Sequence, residues 1–179
     1  MTTIVAVQEK GNVVFASDSQ TSWGGRKSWS AEKVFRNGGL VIGAAGDVRV
    51  SNVFETAELP QPEPSLRKRG DIYRWLVNHL VPALQKALEE AQTLTTENGE
   101  SANRGSFLIA VNNQVFELSS DFAVSTERSG KYAIGSGGAV AIGALEAGAS
   151  PREAVKIATL HDSWSGGSVR VTNSNGGVK

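Results

Sequence analysis

Residues 2–20 read TTIVAVQEKGNVVFASDSQ, and this stretch decides the fold. Residues 3–8 and 12–17 are β-branched and apolar, with Glu9-Lys10-Gly11 between them. Gly11 can supply the positive φ that a tight connection wants, so the stretch reads as a β-hairpin. With a three-residue loop at 9–11, Gln8 faces Asn12 and Thr2 faces Asp18. A two-residue loop shifts the pairing by one and still leaves Thr2 and Asp18 adjacent. Either way a carboxylate stands beside the second residue at the open end of a sheet. Methionine before a small residue is normally removed after synthesis. Thr2 would then carry a hydroxyl nucleophile and a free α-amine on one residue. The amine's reference pKa, about 7.7–8.0, suits a general base near neutral pH. That is the threonine form of base-activated nucleophilic catalysis.

Further along, residues 19–32 are polar and glycine-containing, a loop or irregular strand. Residues 33–36 and 40–45 form a second hairpin around Asn37-Gly38-Gly39. The apolar spacing then changes to threes and fours: 47–59 reads as an amphipathic helix with Asp47 in its first turn, stopped by PQPEP at 60–64. A long helix follows over 71–92, which Pro82 should kink. Thr93–Arg104 is a polar loop. Residues 106–111 and 114–118 flank Asn112-Asn113 as another hairpin, and 131–134 is a short strand. Helices are expected at 139–148 and at 151–161, the second opened by Ser150-Pro151. A last strand covers 168–172. Runs of strands alternating with helix pairs imply a layered α+β domain spanning residues 1–179, sheets inside and helices outside.

Composition narrows the chemistry. Of 179 residues none is cysteine, which removes disulfides, zinc ribbons, iron–sulfur sites and thiol catalysis together. Eighteen Lys+Arg balance eighteen Asp+Glu, so no net field favours a nucleic acid. Two histidines, His79 and His161, are too few for a multi-histidine metal centre. No apolar run approaches the ~18 residues of a membrane helix, and MTTIVAVQEK lacks a secretory lead, so a cytoplasmic location is expected. Gly135-Ser136-Gly137-Gly138 fits neither GxGxxG nor GxxxxGK[ST]. Arg67-Lys68-Arg69 reads as a solvated turn. Trp23, Trp29, Trp75 and Trp164 are scattered and suit core or subunit contacts.

Taken in order, Thr2-Thr3-Ile4-Val5-Ala6-Val7, Ala16-Ser17-Asp18-Ser19-Gln20, Lys33-Val34 and Ile42-Gly43-Ala44-Ala45-Gly46-Asp47 resemble the proteasome β-subunit superfamily, including the bacterial HslV peptidase. Ile134-Gly135-Ser136-Gly137-Gly138, Gly143-Ala144-Leu145-Glu146 and Asp162-Ser163-Trp164-Ser165-Gly166-Gly167 continue the resemblance to residue 167. It implies a four-layer α-β-β-α sandwich, two packed antiparallel sheets flanked by helices, as in N-terminal nucleophile hydrolases. It implies that Thr2 is nucleophile and amine base, with Asp18 and Lys33 as a charged pair beside it. An ammonium there lowers the hydroxyl's pKa and disfavours protonation of the amine. Gly43 would give its N–H to the oxyanion. Ser136, Asp162 and Ser165 would support the amine and proton transfer. Ser19 stands where some proteasome subunits carry arginine, so that contact does not carry over.

The matching specificity pocket comprises Thr21, Ala31, Phe35, Val41, Ala45 and Arg49, mostly apolar, which implies hydrophobic P1 side chains. No cofactor is implied for the chemistry. A structural monovalent or divalent cation could sit on the backbone carbonyls of Thr159, Asp162 and Ser165. The first third looks like HslV and DSWSGG looks like true proteasome subunits, a mosaic suited to a simple bacterial or phage-borne homologue. The resemblance implies stacked homo-oligomeric rings, with 47–59 and 71–92 at ring and neighbour contacts. It further implies unfolded polypeptide as substrate and an ATP-dependent AAA+ unfoldase as partner, with no nucleic acid and no membrane. A catalytically silent structural ring and an amidohydrolase of small amides remain the alternatives.

Overall fold

The computed structural model describes residues 2–9, 11–23, 26–97 and 100–175. The opening hairpin pairs β1 (Ile4–Glu9) with β2 (Asn12–Ser17). Its register sets Glu9 opposite Asn12 and Ile4 opposite Ser17, so the connection is two residues and Thr3, not Thr2, stands across from Asp18. Lys10, expected within that loop, lies outside the described residues.

The polar stretch that follows folds as a short ribbon of β3 (Thr21–Trp23) and β4 (Arg26–Ser28). Next come β5 (Val34–Asn37) and β6 (Leu40–Gly46), turned at Gly38-Gly39. Asp47 caps α1 (Val48–Thr56) by accepting the Arg49 N–H at 2.8 Å. The expected long helix is divided: α2 (Arg69–Trp75), a π-helical turn over Leu76–Leu80, and α3 (Val81–Glu90). Pro82 has no N–H and its ring crowds the carbonyl four residues back. The wider turn, closed by Val81 N–H onto the Leu76 carbonyl, absorbs that conflict. The 93–104 segment, expected as loop, carries β7 (Thr95–Glu97) and β8 (Glu100–Ala102).

Strands β9 (Gly105–Val111) and β10 (Gln114–Leu118) turn at Asn112 (φ 45°) and Asn113 (φ 65°), the left-handed pair a two-residue hairpin needs. After β11 (Val124–Ser125) and β12 (Lys131–Ile134) come α4 (Gly138–Glu146), α5 (Pro151–His161) and β13 (Arg170–Asn173). Ser150 and Glu153 close a capping box at the start of α5, as the Ser-Pro signal leads one to expect.

One sheet runs β12-β1-β2-β13 and the other β11-β10-β9-β6-β5, all antiparallel. Side chains alternate faces along each strand, and the alternation builds the layers. Ile4 and Ala6 meet Val41, Ala45, Leu108 and Ala110 between the sheets. Val5 and Val7 face the other way, against Ala141, Leu145, Ala154 and Val155 of α4 and α5. On the far side Leu40, Ile42, Phe107 and Ile109 pack on Phe54, Ile72, Leu76, Leu80 and Leu84. The result is the four-layer α-β-β-α sandwich.

Arg69 is not the solvated charge its neighbours suggest. It lies over the Phe116 ring at 5.8 Å and donates to Gln8 Oε1 at 2.8 Å, clamping α2 to the sheets.

Candidate active site

Thr2 sits at the mouth of β1, 5% exposed. Its N–H donates to Ser136 Oγ at 3.3 Å, and its carbonyl accepts the Gly137 N–H at 3.5 Å. The turn after β12 presses against it: Gly135 has φ +90°, and a Cβ there would collide with the Thr2 carbonyl oxygen. Only glycine permits that approach. Ser136 Oγ in turn donates to Asp162 Oδ2 at 2.6 Å, and Ser165 Oγ donates to the same oxygen at 2.6 Å. The Thr3 hydroxyl lies 2.7 Å from Ser165 Oγ, and Trp164 N–H reaches Asp162 Oδ1 at 3.1 Å. Partial desolvation pushes the Asp162 carboxyl up, and the donors from Ser136, Ser165 and Trp164 together pull it further down. It therefore titrates below the ordinary carboxylate value.

Behind Thr2 lies a buried ion pair. Lys33 Nζ stands 2.8 Å from Asp18 Oδ1, with the two side chains 6% and 0% exposed. Asp18 Oδ1 also accepts the Thr3 N–H at 2.9 Å, while Oδ2 accepts Gln20 N–H at 3.1 Å and Gly166 N–H at 3.0 Å. Four donors thus fix the carboxylate between the first strand and the loop before β13. Burial pulls the Lys33 ammonium below the ordinary lysine value. The hydrogen bond and charge of Asp18 and the charge of Asp162 oppose it without cancelling it.

Thr2 and Lys33 line one cleft of about 810 Å³, together with Thr21, Ala31, Phe35, Ala44 and Gly46. Of the six residues expected in the specificity pocket, Thr21, Ala31, Phe35 and Arg49 border it. Val41 and Ala45 do not. They are odd-numbered on β6 and so point between the sheets. Ala45 instead borders a smaller cavity of about 390 Å³ on the other side of Thr2, with Ser106, Ser120 and Ser136. The guanidinium of Arg49 is held by the Ala91 carbonyl at 2.6 Å, at the C-terminal end of α3. Glu32, Asp47, Ser51, Asn52 and Glu55 are also among its lining residues, so the pocket is more polar than its expected members implied.

The same alternation bears on the oxyanion donor, expected at Gly43. Ala44 N–H points to the Lys33 carbonyl at 2.9 Å, and Asp47 N–H points the opposite way, to the Arg104 carbonyl at 2.9 Å. Gly43 N–H therefore faces β9, where Gly43 stands opposite Leu108, while Gly46 N–H faces the Lys33 side. Gly43 borders neither cavity, and a Cβ there would meet Ile4 and Phe15; Gly46 borders both cavities. At φ +124°, a Cβ on Gly46 would collide with the Arg104 carbonyl oxygen.

Asp162 carbonyl, one of three expected to hold a structural cation, accepts the Ser165 N–H at 3.2 Å, so a cation would share that oxygen. Among the described residues no cluster of three or more His, Cys, Asp or Glu side chains is placed to hold a metal, and no helix is long and apolar enough to cross a membrane.

No protein-family model and no curated protein matches the chain. Solved structures match over nearly its whole length. It is similar to Thiobacillus denitrificans BPH, with a TM-score of 0.74 and 25% identity over 96% of both chains. The same figures hold for that protein in complex with epoxomicin, with 97% of that chain covered. Eukaryotic HslV from Trypanosoma brucei aligns with a TM-score of 0.63 and 27% identity, covering 96% of this chain and 98% of that one.

Proposed function

From its membership of the proteasome β-subunit and HslV-type superfamily, we propose that this chain is an N-terminal threonine peptidase subunit of a self-compartmentalising barrel. Met1, which lies outside the described residues, is removed, and the Thr2 nitrogen becomes a free α-amine. That amine takes the hydroxyl proton as Thr2 Oγ attacks the carbonyl carbon of a peptide bond. Electron density moves onto the carbonyl oxygen, where the Gly46 N–H receives it. The intermediate collapses, the C–N bond breaks, and the leaving amine carries away the proton that the Thr2 ammonium held. Water then attacks the acyl ester with the same amine as base, releasing the acid and restoring Thr2.

The remaining residues hold these groups in place. Ser136, fixed by Asp162, orients the nitrogen. Lys33 keeps positive charge beside the developing alkoxide, and Asp18 holds Lys33 there. The observation that carries the reading is the hydrogen bond from the Thr2 nitrogen to Ser136 Oγ, in a cleft that Thr2 shares with Lys33. Enclosure of such sites within stacked homo-oligomeric rings would restrict substrates to unfolded polypeptides, delivered by an ATP-dependent AAA+ unfoldase in the cytoplasm.

Treatment with a peptide epoxyketone tests the chemistry. A mass increase equal to the inhibitor, located on an N-terminal Thr2 and absent from Thr2→Ala, is the expected result. A purified protein that retains Met1 and takes no label overturns the proposal.

A further inference from the structure

The peptide unit joining Arg104 to Gly105 lies directly behind Gly46, and a buried asparagine holds it. The carbonyl of that unit accepts the Asp47 N–H at 2.9 Å, and it is the oxygen with which a Cβ on Gly46 would collide. At the other end of the same unit the Gly105 N–H donates to Asn103 Oδ1 at 2.7 Å. Asn103 is fully buried. Its amide nitrogen donates to the carbonyls of Ser119 at 3.3 Å and Ser120 at 3.1 Å, and its backbone N–H donates to the Ser120 carbonyl at 2.9 Å. An asparagine that accepts from the N–H two residues on closes a turn with its own side chain. Asn103 borders neither cavity beside Thr2, whereas Arg104, Gly105 and Ser120 border the smaller one. It reaches the site only through its neighbours.

We propose that Asn103 is a positioning residue for the oxyanion: by fixing the 104–105 peptide it fixes the backbone at Gly46 and the aim of the Gly46 N–H. The inference rests on the peptidase reading and adds a supporting residue to it. Gly46 stands opposite Gly105 at the end of β6, at φ +124°, and has no side chain of its own to hold that conformation. The Arg104 carbonyl fills the space beside its α-carbon and holds the next peptide through the Asp47 N–H. Without Asn103 Oδ1, the Gly105 N–H loses its partner and the 104–105 unit is free to turn, which releases both restraints. A misaimed donor weakens most where negative charge has developed, so the cost falls on kcat rather than on KM.

The test compares the intact protein with Asn103→Ala and Asn103→Ser on a fluorogenic peptide amide and on the matching peptide aldehyde. With the aldehyde, Thr2 Oγ bonds the carbonyl carbon reversibly, and its proton passes through the α-amine to the former carbonyl oxygen, which then sits at the Gly46 N–H. In Asn103→Ala, kcat should fall about tenfold or more and the aldehyde inhibition constant should rise by a similar factor, with KM within about twofold. Serine accepts the same N–H more weakly, so Asn103→Ser should recover part of both losses. An inhibition constant does not depend on how much of the protein is folded. A fall in kcat with an unchanged constant therefore marks a merely structural residue and overturns the proposal, as does an unchanged kcat. If Asn103→Ala does not fold, Asn103→Ser decides alone: a constant raised about threefold supports the role, and an unchanged one rejects it. An intact protein that neither cleaves the amide nor binds the aldehyde fails the peptidase reading itself, and the positioning role with it.

Discussion

Oδ1 of Asp18 accepts the Thr3 N–H at 2.9 Å and thereby locks the open end of β1 to the strand beside it. The same oxygen receives the Lys33 ammonium at 2.8 Å. Thr3, next to the proposed nucleophile, and the buried Lys33 ammonium are therefore positioned by one atom, and disturbing it should be felt in stability and in turnover together.

Asp18→Asn leaves an ammonium in a nearly dry site without its counter-charge. Removing one partner of a buried ion pair typically costs about 3–5 kcal/mol. The denaturation midpoint should drop accordingly, and Asp18→Asn/Lys33→Met should regain part of the loss. A cost below about 1 kcal/mol for Asp18→Asn would show that the pair is solvated after all.

On the proposed mechanism, Lys33 is expected to govern the alkaline side of the rate profile. Burial lowers its pKa from the ordinary 10.5, so the ammonium is lost at a lower pH than an exposed lysine would require. The rate, kcat/KM, should fall as pH rises through that lowered value. Lys33→Arg, whose side chain stays protonated, should lose rate but also lose the alkaline limb. An unchanged limb in Lys33→Arg would assign the titration to another group.

Gly46→Ala and Gly43→Ala separate the two candidate oxyanion donors. At Gly46 the added methyl collides with the Arg104 carbonyl in a left-handed backbone, so the peptide group must rotate. Loss of an oxyanion donor is worth about 10²–10³ in kcat, the drop expected here. At Gly43 the methyl crowds Ile4 at 3.0 Å and Phe15 at 3.4 Å, which should cost about 1–3 kcal/mol of stability with kcat much less affected. The reverse pattern would restore Gly43 to the role.

Asp162 contributes to acid stability with a definite sign. Its folded pKa lies below the ordinary 3.8, so its contribution is present at neutral pH and fades as pH falls from 3.8 through the folded value. Asp162→Asn lacks that contribution throughout. The stability gap between the two proteins should therefore be widest near neutrality and close in acid, as read by denaturant titration across pH. A gap that widens in acid would contradict the direction of the shift.

Much of this architecture is legible in residues 2–20. Two β-branched runs separated by Gly11 can hardly be other than a hairpin, and Asp18 then has to stand near the chain's second residue. The register was one position off because Glu9 pairs with Asn12 rather than joining the loop, a choice that local sequence leaves open. The ribbons β3–β4 and β7–β8 leave no periodic trace, since three-residue strands such as Arg26-Lys27-Ser28 are too short and too polar to show one. In the site, the ordered motifs locate Thr2, Asp18, Lys33, Ser136, Asp162 and Ser165, which the fold brings together. Val41 and Ala45 lie outside the larger cleft, and the Gly43 N–H faces β9, because a strand's alternation fixes which side each residue serves and a one-position difference reverses it.

The Gly166 N–H bond to Asp18 ties residue 166 to the opening hairpin. Ribosomal synthesis proceeds from the other end, so a growing polypeptide displays Thr2 long before Asp162, Ser165 and Gly166 exist to complete its surroundings. Whatever reaction the finished centre performs is therefore withheld until residue 166 has been made.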